Sequence, residues 1–267
     1  MSLTPVLSRE TVVSQLRAAG CVFAEDEAQL LISAAHTPDE LSAMVERRIE
    51  GLPLEHVLGW AEFCGLRVAI DPGVFVPRRR TEFLVQQAVA CAPRRAVVLD
   101  LCCGSGALGL ALFAALKEPE LHAADIDPAA VRCARRNVGA VGHVYEGDLF
   151  GPLPATLKGR VDVLLANVPY VPTDEVSLLP KEARTYEPQV ALDGGVDGLE
   201  VLRRVASEAS EWIARGGHLL CEISDRQVQA AIEIMAAAGL GVQIARPEEL
   251  YATVVIGTLR GGAILAS

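Results

Sequence analysis

The 267-residue sequence contains no CxxC pair, no basic run longer than three residues and no uninterrupted apolar segment of membrane-spanning length. Its seven cysteines are an odd number, and Cys102 and Cys103 are adjacent, which fits neither zinc ligation nor a disulfide framework. We therefore expect free thiols, no metal site and a cytoplasmic location. Residues 1–10 lack a charged start followed by an apolar run, so no signal peptide is expected.

Acidic residues outnumber basic ones, 34 to 24, which leaves a formal net charge of −10. This excess repels phosphate backbones, and the sequence therefore predicts no direct nucleic-acid partner. The most apolar stretch, residues 96–116, is broken by Asp100 and three glycines. It indicates a buried strand, loop and helix rather than a membrane span.

The N-terminal part of the chain follows helical spacing. We expect helices at residues 10–18 and 26–35, and a third that begins after Thr37 as N-cap with Pro38 in its first turn. Apolar residues around Gly65 predict a β-hairpin within residues 60–70.

From residue 96 onward, predicted strands and helices alternate. The strands are expected at residues 96–101, 121–125, 143–146, 161–166, 217–223, 242–245 and 252–258. The helices are expected at residues 81–92, 107–117, 128–138, 198–215 and 225–238. Such alternation is typical of an α/β fold with a mostly parallel sheet covered by helices on both faces.

Residues 97–109 have the pattern of a strand, a glycine turn and the start of a helix. Gly104, Gly106 and Gly109 match the dinucleotide-binding spacing GxGxxG, a weak signal that an ordinary strand-to-helix turn also explains. Asp100, at the end of the strand, would repel a pyrophosphate but suits an ammonium group. This favours S-adenosylmethionine over NAD, with a helix N-cap as the alternative role for Asp100.

Further acidic residues follow the next two strands. Asp125, 19 residues after Gly106, is placed to accept hydrogen bonds from both ribose hydroxyls. Asp148 follows the third strand, where it either faces the adenine amino group or is an ordinary loop residue. Asp127 precedes Pro128 and is expected to be a helix N-cap without a catalytic role.

The fourth strand runs into Asn167-Val168-Pro169-Tyr170. An amide nitrogen is a poor nucleophile, so it must be held by acceptors that take its hydrogens and aim its lone pair. The Asn167 side-chain oxygen and the Val168 carbonyl are two such acceptors. Pro169 restricts residue 168 to an extended conformation, and Tyr170 offers a flat wall for a planar group. A plain strand-terminating turn is the alternative.

These motifs together resemble those of a known family. Residues 100–106 (DLCCGSG), Asp125 and residues 167–170 (NVPY) resemble class I S-adenosylmethionine methyltransferases with an NPPY-type signature. Residues 51–59 (GLPLEHVLG), 62–66 (EFCGL), 77–82 (PRRRTE), 186–199 (YEPQVALDGGVDGL) and 222–227 (EISDRQ) resemble the HemK/PrmC family, the protein-(glutamine-N5) methyltransferases that modify peptide chain release factors. The resemblance spans about residues 40–258.

The resemblance implies a Rossmann-like catalytic domain with a mostly parallel seven-stranded sheet, at residues 81–267. It also implies a helical substrate-recognition domain at 1–58 and a β-hairpin linker at 59–80. The implied partner is a protein, a release factor whose GGQ-loop glutamine receives the methyl group, and the implied product of the cofactor is S-adenosylhomocysteine.

The resemblance also implies roles for individual residues. Asn167, Pro169 and Tyr170 are the expected catalytic residues, and substrate binding is expected from these three with Val168 and Glu187. The expected cofactor contacts are Phe75, Arg78, Thr81, Asp100, Cys102, Gly104, Gly106, Asp125, Ile126, Asp148, Leu149 and Asn167. Pro77 and Glu82 are expected near the cofactor or the domain junction.

Four positions depart from the family pattern. Val168 replaces the first proline of NPPY, Arg79 and Arg80 stand where proline and an acid are usual, and Ser224 replaces a glycine. Three functions follow as hypotheses. The first is a protein-glutamine methyltransferase, and the second is an N-methyltransferase of a small molecule that bears an amide, guanidine or amine. The third is a catalytically impaired cofactor-binding protein.

Overall fold

The computed structural model describes residues 7–247 and 252–260. Four helices open the chain: α1 (Arg9–Ala18), α2 (Ala24–Ala34), α3 (Pro38–Ile49) and α4 (Leu54–Leu58). The start of α3 is as predicted, because Thr37 Oγ1 accepts the Glu40 amide at 3.1 Å. These helices enclose an apolar core of their own, which includes Leu16, Leu31 and Val45.

The predicted hairpin is confirmed. Strands β1 (Trp60–Phe63) and β2 (Leu66–Ala69) pair antiparallel across a turn in which Cys64 and Gly65 have positive φ angles. Phe63 and Val68 pack in the same core as residues of the sheet. The hairpin is therefore part of the larger body's core, and the division of the chain at residues 58 and 80 stays a prediction.

The sheet has seven strands, as predicted: β3 (Val97–Leu101), β4 (Glu120–Asp125), β5 (Gly142–Glu146), β6 (Val161–Ala166), β7 (Ile213–Ile223), β8 (Leu240–Ala245) and β9 (Thr253–Leu259). Their order is β5-β4-β3-β6-β7-β9-β8, and only β9 runs antiparallel to its neighbours. The accompanying helices are α5 (Glu82–Cys91), α6 (Ala107–Ala115), α7 (Pro128–Val138), α8 (Lys181–Tyr186), α9 (Glu200–Trp212) and α10 (Val228–Ala237).

Side chains of β3 alternate between two cores. Leu99 and Leu101 pack with α9 residues on one face, whereas Val98 packs with residues of α5 and α6 on the other. Every residue of β3 is buried, as expected for a central strand of a parallel sheet that is covered on both faces. No helix in the described ranges is long and apolar enough to cross a membrane.

Two expectations about local structure were wrong. The helix predicted at 198–215 ends at Trp212, and β7 begins at Ile213. The chain joins the sheet there with an irregular register, in which Val161 of β6 pairs with Ile213 and Val163 pairs with His218. Helices α4 and α8 were missed, since five and six residues are too few to show a helical period.

Candidate functional site

A cavity of about 380 Å³ lies at the carboxyl ends of β3, β4, β6 and β7. This edge of a parallel sheet is where α/β folds bind ligands. Its wall includes most of the predicted site residues: Phe75, Arg78, Thr81, Asp100, Cys102, Gly104, Asp125, Ile126, Asn167, Val168, Pro169, Tyr170 and Glu187. The structure does not bring Gly106, Asp148 or Leu149 to this wall.

The glycine loop between β3 and α6 is held in an unusual backbone conformation. Gly104 has a φ of 55°, and a Cβ added there would meet no atom within 4 Å, so glycine serves the backbone conformation rather than close packing. Gly106 differs, because its φ is 77° and an added Cβ would lie 2.8 Å from Val138 in α7. Gly106 therefore allows α6 to approach α7, which is a packing role behind the cavity.

Asp125 holds the glycine loop from the end of β4. Its Oδ2 accepts the Gly104 amide at 2.8 Å, and its Oδ1 accepts the Asp127 amide at 2.9 Å. Burial raises the pKa of Asp125, and these amides oppose the rise. Because each carboxylate oxygen has two lone pairs, both oxygens can accept a further hydrogen bond.

Asp100 lies beneath the same loop. Its Oδ2 accepts the amide of Gly109 in the first turn of α6 at 2.8 Å, although Gly106 occupies the N-cap position. Burial raises the Asp100 pKa to about 7, with the Gly109 amide opposing and the nearby Asp125 carboxylate adding to the rise. Asp100 is therefore not the N-cap residue of α6, which was the alternative role. Its side chain nevertheless accepts a backbone amide in the first turn of that helix.

The remaining loop residues lie elsewhere. Asp148 Oδ2 is ion-paired with Arg204 of α9 at 2.5 Å, and Leu149 is buried in the core on the α9 face. Asp127 is the N-cap of α7, as predicted, with its Oδ1 accepting the Ala129 amide at 2.8 Å. Cofactor contacts by Asp148 and Leu149 stay a prediction.

Asn167 directly follows β6, the strand between β3 and β7. Its side-chain Oδ1 is buried and has no hydrogen-bond partner among the described residues. Val168 is buried as well, and Pro169 and Tyr170 continue along the cavity wall. A buried acceptor without a donor is costly, so the Asn167 oxygen is suited to a donor that enters the cavity.

Beside Asn167 lies a cluster of three side chains that we call the Glu222 cluster: Arg80, Tyr170 and Glu222. Arg80 Nε and the Tyr170 hydroxyl both donate to Glu222 Oε1 at 3.0 Å, and Arg80 Nη2 donates to the Tyr170 oxygen at 2.6 Å. Burial and the Glu222 charge raise the Tyr170 pKa to about 12, against the effect of Arg80.

Neither Arg80 nor Glu222 was expected from the sequence to have a role in the site. Both line the cavity. The signal for Glu222 was present, because it lies near the carboxyl end of a predicted parallel strand, as Asp125 does. Arg80 carried no such signal, since it lies in a single 3-10 turn before α5 and not at the end of a strand.

A second ion pair closes another side of the cavity. Arg78 Nη2 donates to Glu187 Oε2 at 2.5 Å, and the Arg78 guanidinium stacks 4.8 Å from the Phe75 ring centre. The Glu187 side chain is almost completely buried and follows α8 directly. Within residues 7–247 and 252–260, no group of three histidine, cysteine, aspartate or glutamate side chains could hold a metal ion.

The chain is similar to known methyltransferases in sequence. Residues 65–180 match the model of the Methyltransferase small domain family. The chain is 38% identical over 208 residues to the release factor glutamine methyltransferase of Geobacter sulfurreducens, covering 76% of this chain and 72% of that protein. It is 36% identical over 251 residues to the protein of the same name from Mycolicibacterium smegmatis, covering 86% and 88%.

Solved structures resemble the fold at lower identity. A methyltransferase from Pyrococcus furiosus superposes with a TM-score of 0.56 at 15% identity, covering 82% of this chain and all of that one. A ribosomal protein L11 methylase from Lactobacillus delbrueckii subsp. bulgaricus has a TM-score of 0.53 at 15% identity, covering 73% and 86%. These likenesses support the predicted class I methyltransferase fold.

Proposed function

Because the chain belongs to the release factor glutamine methyltransferase family and is therefore a methyltransferase, we propose that it transfers a methyl group from S-adenosylmethionine to the side-chain nitrogen of a glutamine in a peptide chain release factor. The observation that carries the acceptor assignment is the Asn167 Oδ1 on the cavity wall, which is buried and has no hydrogen-bond partner among the residues that the structure describes. A carboxamide nitrogen carries two N–H donors, and this oxygen is placed to accept one of them.

The residues around the glycine loop fit the cofactor. Asp125 retains accepting capacity on both oxygens for the ribose hydroxyls, and Gly104 leaves the space beside the loop open. Asp100 supplies a carboxyl group on the cavity wall for the methionine ammonium. S-adenosylmethionine, when bound, supplies an electrophilic methyl group.

The residues at the end of β6 serve the acceptor. Asn167 Oδ1 and the Val168 carbonyl hold the carboxamide hydrogens, and Pro169 keeps the residue-168 peptide extended. These acceptors also stabilise the positive charge that develops on the nitrogen. Geometry supplies about 7–11 kcal/mol of the catalysis in favourable systems. No general base is required for bond formation, because the nitrogen loses its proton after the methyl–sulfur bond has broken and the nitrogen has become cationic.

The two alternatives from the sequence receive less support. The relatives that match most of the chain are named release factor glutamine methyltransferases, which favours a protein acceptor over a free small molecule. An impaired enzyme would follow if Val168 disrupted the acceptor peptide, yet Val168 contributes only its backbone carbonyl. We further propose that the helices of residues 1–58 take part in recognising the release factor.

The test is methyl incorporation from labelled S-adenosylmethionine into a purified release factor. We expect one methyl group on the glutamine of the GGQ loop, located by peptide mass spectrometry, and no incorporation when that glutamine is changed to alanine. Pools of small amides and amines are assayed in parallel. Incorporation into a small molecule, with the release factor unmodified, would contradict the proposal.

A further inference from the structure

We propose that Glu222 is a substrate-binding residue whose Oε2 accepts a peptide or carboxamide N–H of the acceptor chain. This inference rests on the proposed function and deepens it, because it adds a second binding group to the acceptor half of the cavity. Two observations support this inference: the position of Glu222 in the sheet, and the hydrogen bonds of its two carboxylate oxygens.

The sheet register places Glu222 beside Asn167. In the parallel pair of β6 and β7, Leu165 lies opposite Leu220. The same register, continued by two residues, puts Asn167 level with Glu222. Neighbouring strands are about 4.8 Å apart. These two side chains, each with a buried oxygen that accepts from no described residue, therefore lie at the same level of adjacent chain segments, and both line the same cavity.

The strand order places Glu222 away from the cofactor residues. Asp125 follows β4 and Asp100 lies in β3, whereas Glu222 lies in β7, on the far side of β6. Three strand spacings separate β4 from β7, or about 14 Å. Asn167 lies between the two halves, so the donor that meets Glu222 comes from the acceptor side.

The two oxygens of Glu222 are unequally satisfied. Oε1 accepts from both Arg80 and Tyr170, whereas Oε2 is buried and accepts from no described residue. The Tyr170 hydroxyl has already used its single hydrogen, and it accepts from Arg80 in turn. The cluster thus holds the carboxylate in one orientation, compensates its charge with a guanidinium and leaves Oε2 for a donor from outside.

Glu222 is suited to contact the substrate because a buried acceptor such as its Oε2 is energetically unfavourable without a hydrogen-bond donor. Leaving a buried charged acceptor unpaired costs more than leaving a neutral one, so the cluster gains when a donor arrives. A peptide or carboxamide N–H matches the acceptor, whereas another carboxylate or a phosphate would be repelled. A segment of protein chain that carries the glutamine supplies several such N–H groups.

The decisive variant is Glu222→Gln, which keeps the shape of the side chain. Its remaining oxygen must stay with the two donors Arg80 and Tyr170, so its NH₂ group occupies the position of Oε2 and turns an acceptor into a donor. We expect kcat/KM for the release factor to fall by roughly 10- to 100-fold, the range for losing a hydrogen bond to a charged group. The affinity for S-adenosylmethionine, measured by calorimetry, should stay within twofold.

Two control variants separate substrate contact from a merely structural role. Tyr170→Phe and Arg80→Met each remove one donor to Oε1 and leave Oε2 intact. If Glu222 served only to position these neighbours, either control would lower kcat/KM as much as Glu222→Gln does. We expect a smaller loss in each, and an unchanged unfolding midpoint for Glu222→Gln.

The assay is run on the acceptor that the wild-type protein methylates, which keeps the two proposals distinguishable. A wild-type protein that modifies another acceptor and not the release factor defeats the proposed function, and Glu222→Gln is then compared on that other acceptor. Wild-type kcat/KM in folded Glu222→Gln, or a parallel loss of cofactor affinity, overturns the role of Glu222. A wild-type protein that methylates nothing overturns both.

Discussion

Arg48 in α3 donates a hydrogen bond from Nη1 to Glu182 Oε1 in α8 at 2.5 Å, and a second from Nε to Glu27 Oε2 in α2 at 2.7 Å. Glu182 lines the cavity. The N-terminal helices are thereby tied to one wall of the proposed acceptor site, and Tyr186 adds a hydrogen bond to the Glu50 carbonyl at 3.3 Å.

The first prediction concerns this ion pair. Arg48→Ala leaves Glu27, whose side chain is only 11% exposed, without its cation. We expect the free energy of unfolding to fall by about 3 kcal/mol, the lower end of the range for breaking a buried pair. Urea denaturation measures the loss. Arg17→Ala is the matched control, because its pair with Glu25 is exposed and its removal should leave the midpoint unchanged; equal losses would show that burial of Arg48 is irrelevant.

The second prediction concerns the cofactor. Asp125→Ala removes the acceptor proposed for the ribose hydroxyls and also releases the Gly104 amide. Affinity for S-adenosylmethionine should weaken by about 1.5–3 kcal/mol. Calorimetry checks this, with Asp26→Asn on the exposed surface of α2 as the control. Unchanged affinity in Asp125→Ala would remove Asp125 from the cofactor site.

The third prediction distinguishes acceptor binding at Asn167 from cofactor binding in the other half of the cavity. Asn167→Ala deletes the buried Oδ1, for which residues 7–247 and 252–260 provide no donor. We therefore expect cofactor affinity to persist while kcat falls by roughly 100-fold, as when one preorganised transition-state contact is lost. Calorimetry and single-turnover methyl transfer are measured on the same preparation. Loss of both properties together would indicate damage to the fold instead.

The fourth prediction concerns Val168. Its backbone N–H opposes the burial-driven rise of the Cys221 pKa to about 12, which is a weak electrostatic contact with that thiol. Val168→Pro removes that contact and stiffens the chain, with a net stabilisation of at most about 0.4–1 kcal/mol at a compatible site. We expect full activity on the release factor. Abolished activity in a folded variant would mean that the residue-168 N–H serves a different acceptor.

The fifth prediction concerns pH. Since burial raises the Asp100 pKa to about 7, the group is protonated in the free protein at pH 6 and must lose its proton to pair with an ammonium. S-adenosylmethionine affinity should therefore rise as pH increases from 5.5 to about 7 and level off above it, with proton release on binding. Calorimetry in buffers of different ionisation enthalpy counts the protons.

Asp100→Asn should flatten most of this pH dependence. Asp125 also has a raised pKa and acts in the same direction, so a residual slope is expected. The pH dependence that Asp100 gives to folding stability is opposite in sign to the pH dependence that it gives to cofactor affinity. In the unfolded chain Asp100 has its ordinary pKa of 3.8, whereas in the folded chain it keeps its proton up to about pH 7, so its contribution to stability falls as pH rises from about 4 to 7. Proton uptake on cofactor binding would contradict the assignment.

The sequence identified those parts of the site that depend on local pattern. Gly104 was recognisable because a strand, a glycine turn and a helix follow one another, and Asp125 and Asn167 because each follows an apolar strand. Parallel strands bring their carboxyl ends to one edge, so these residues could be expected together before the strand order was known. Gly106 fitted the same pattern, but its neighbour is Val138 of α7, which no local spacing reveals.

Contacts between segments that are distant in sequence were decided only by the tertiary structure. Arg80 and Glu222 are 142 positions apart, and Arg48 and Glu182 are 134 apart. Their meeting depends on β7 lying next to β6 and on α8 packing against the N-terminal helices. Strand order and helix packing depend on how the faces of the sheet and of the helices bury their apolar area against one another. This burial is a property of the whole folded chain and not of any local segment. Local sequence therefore determined where the chemistry-bearing residues stand along the strands, and packing decided which side chains from elsewhere enclose them.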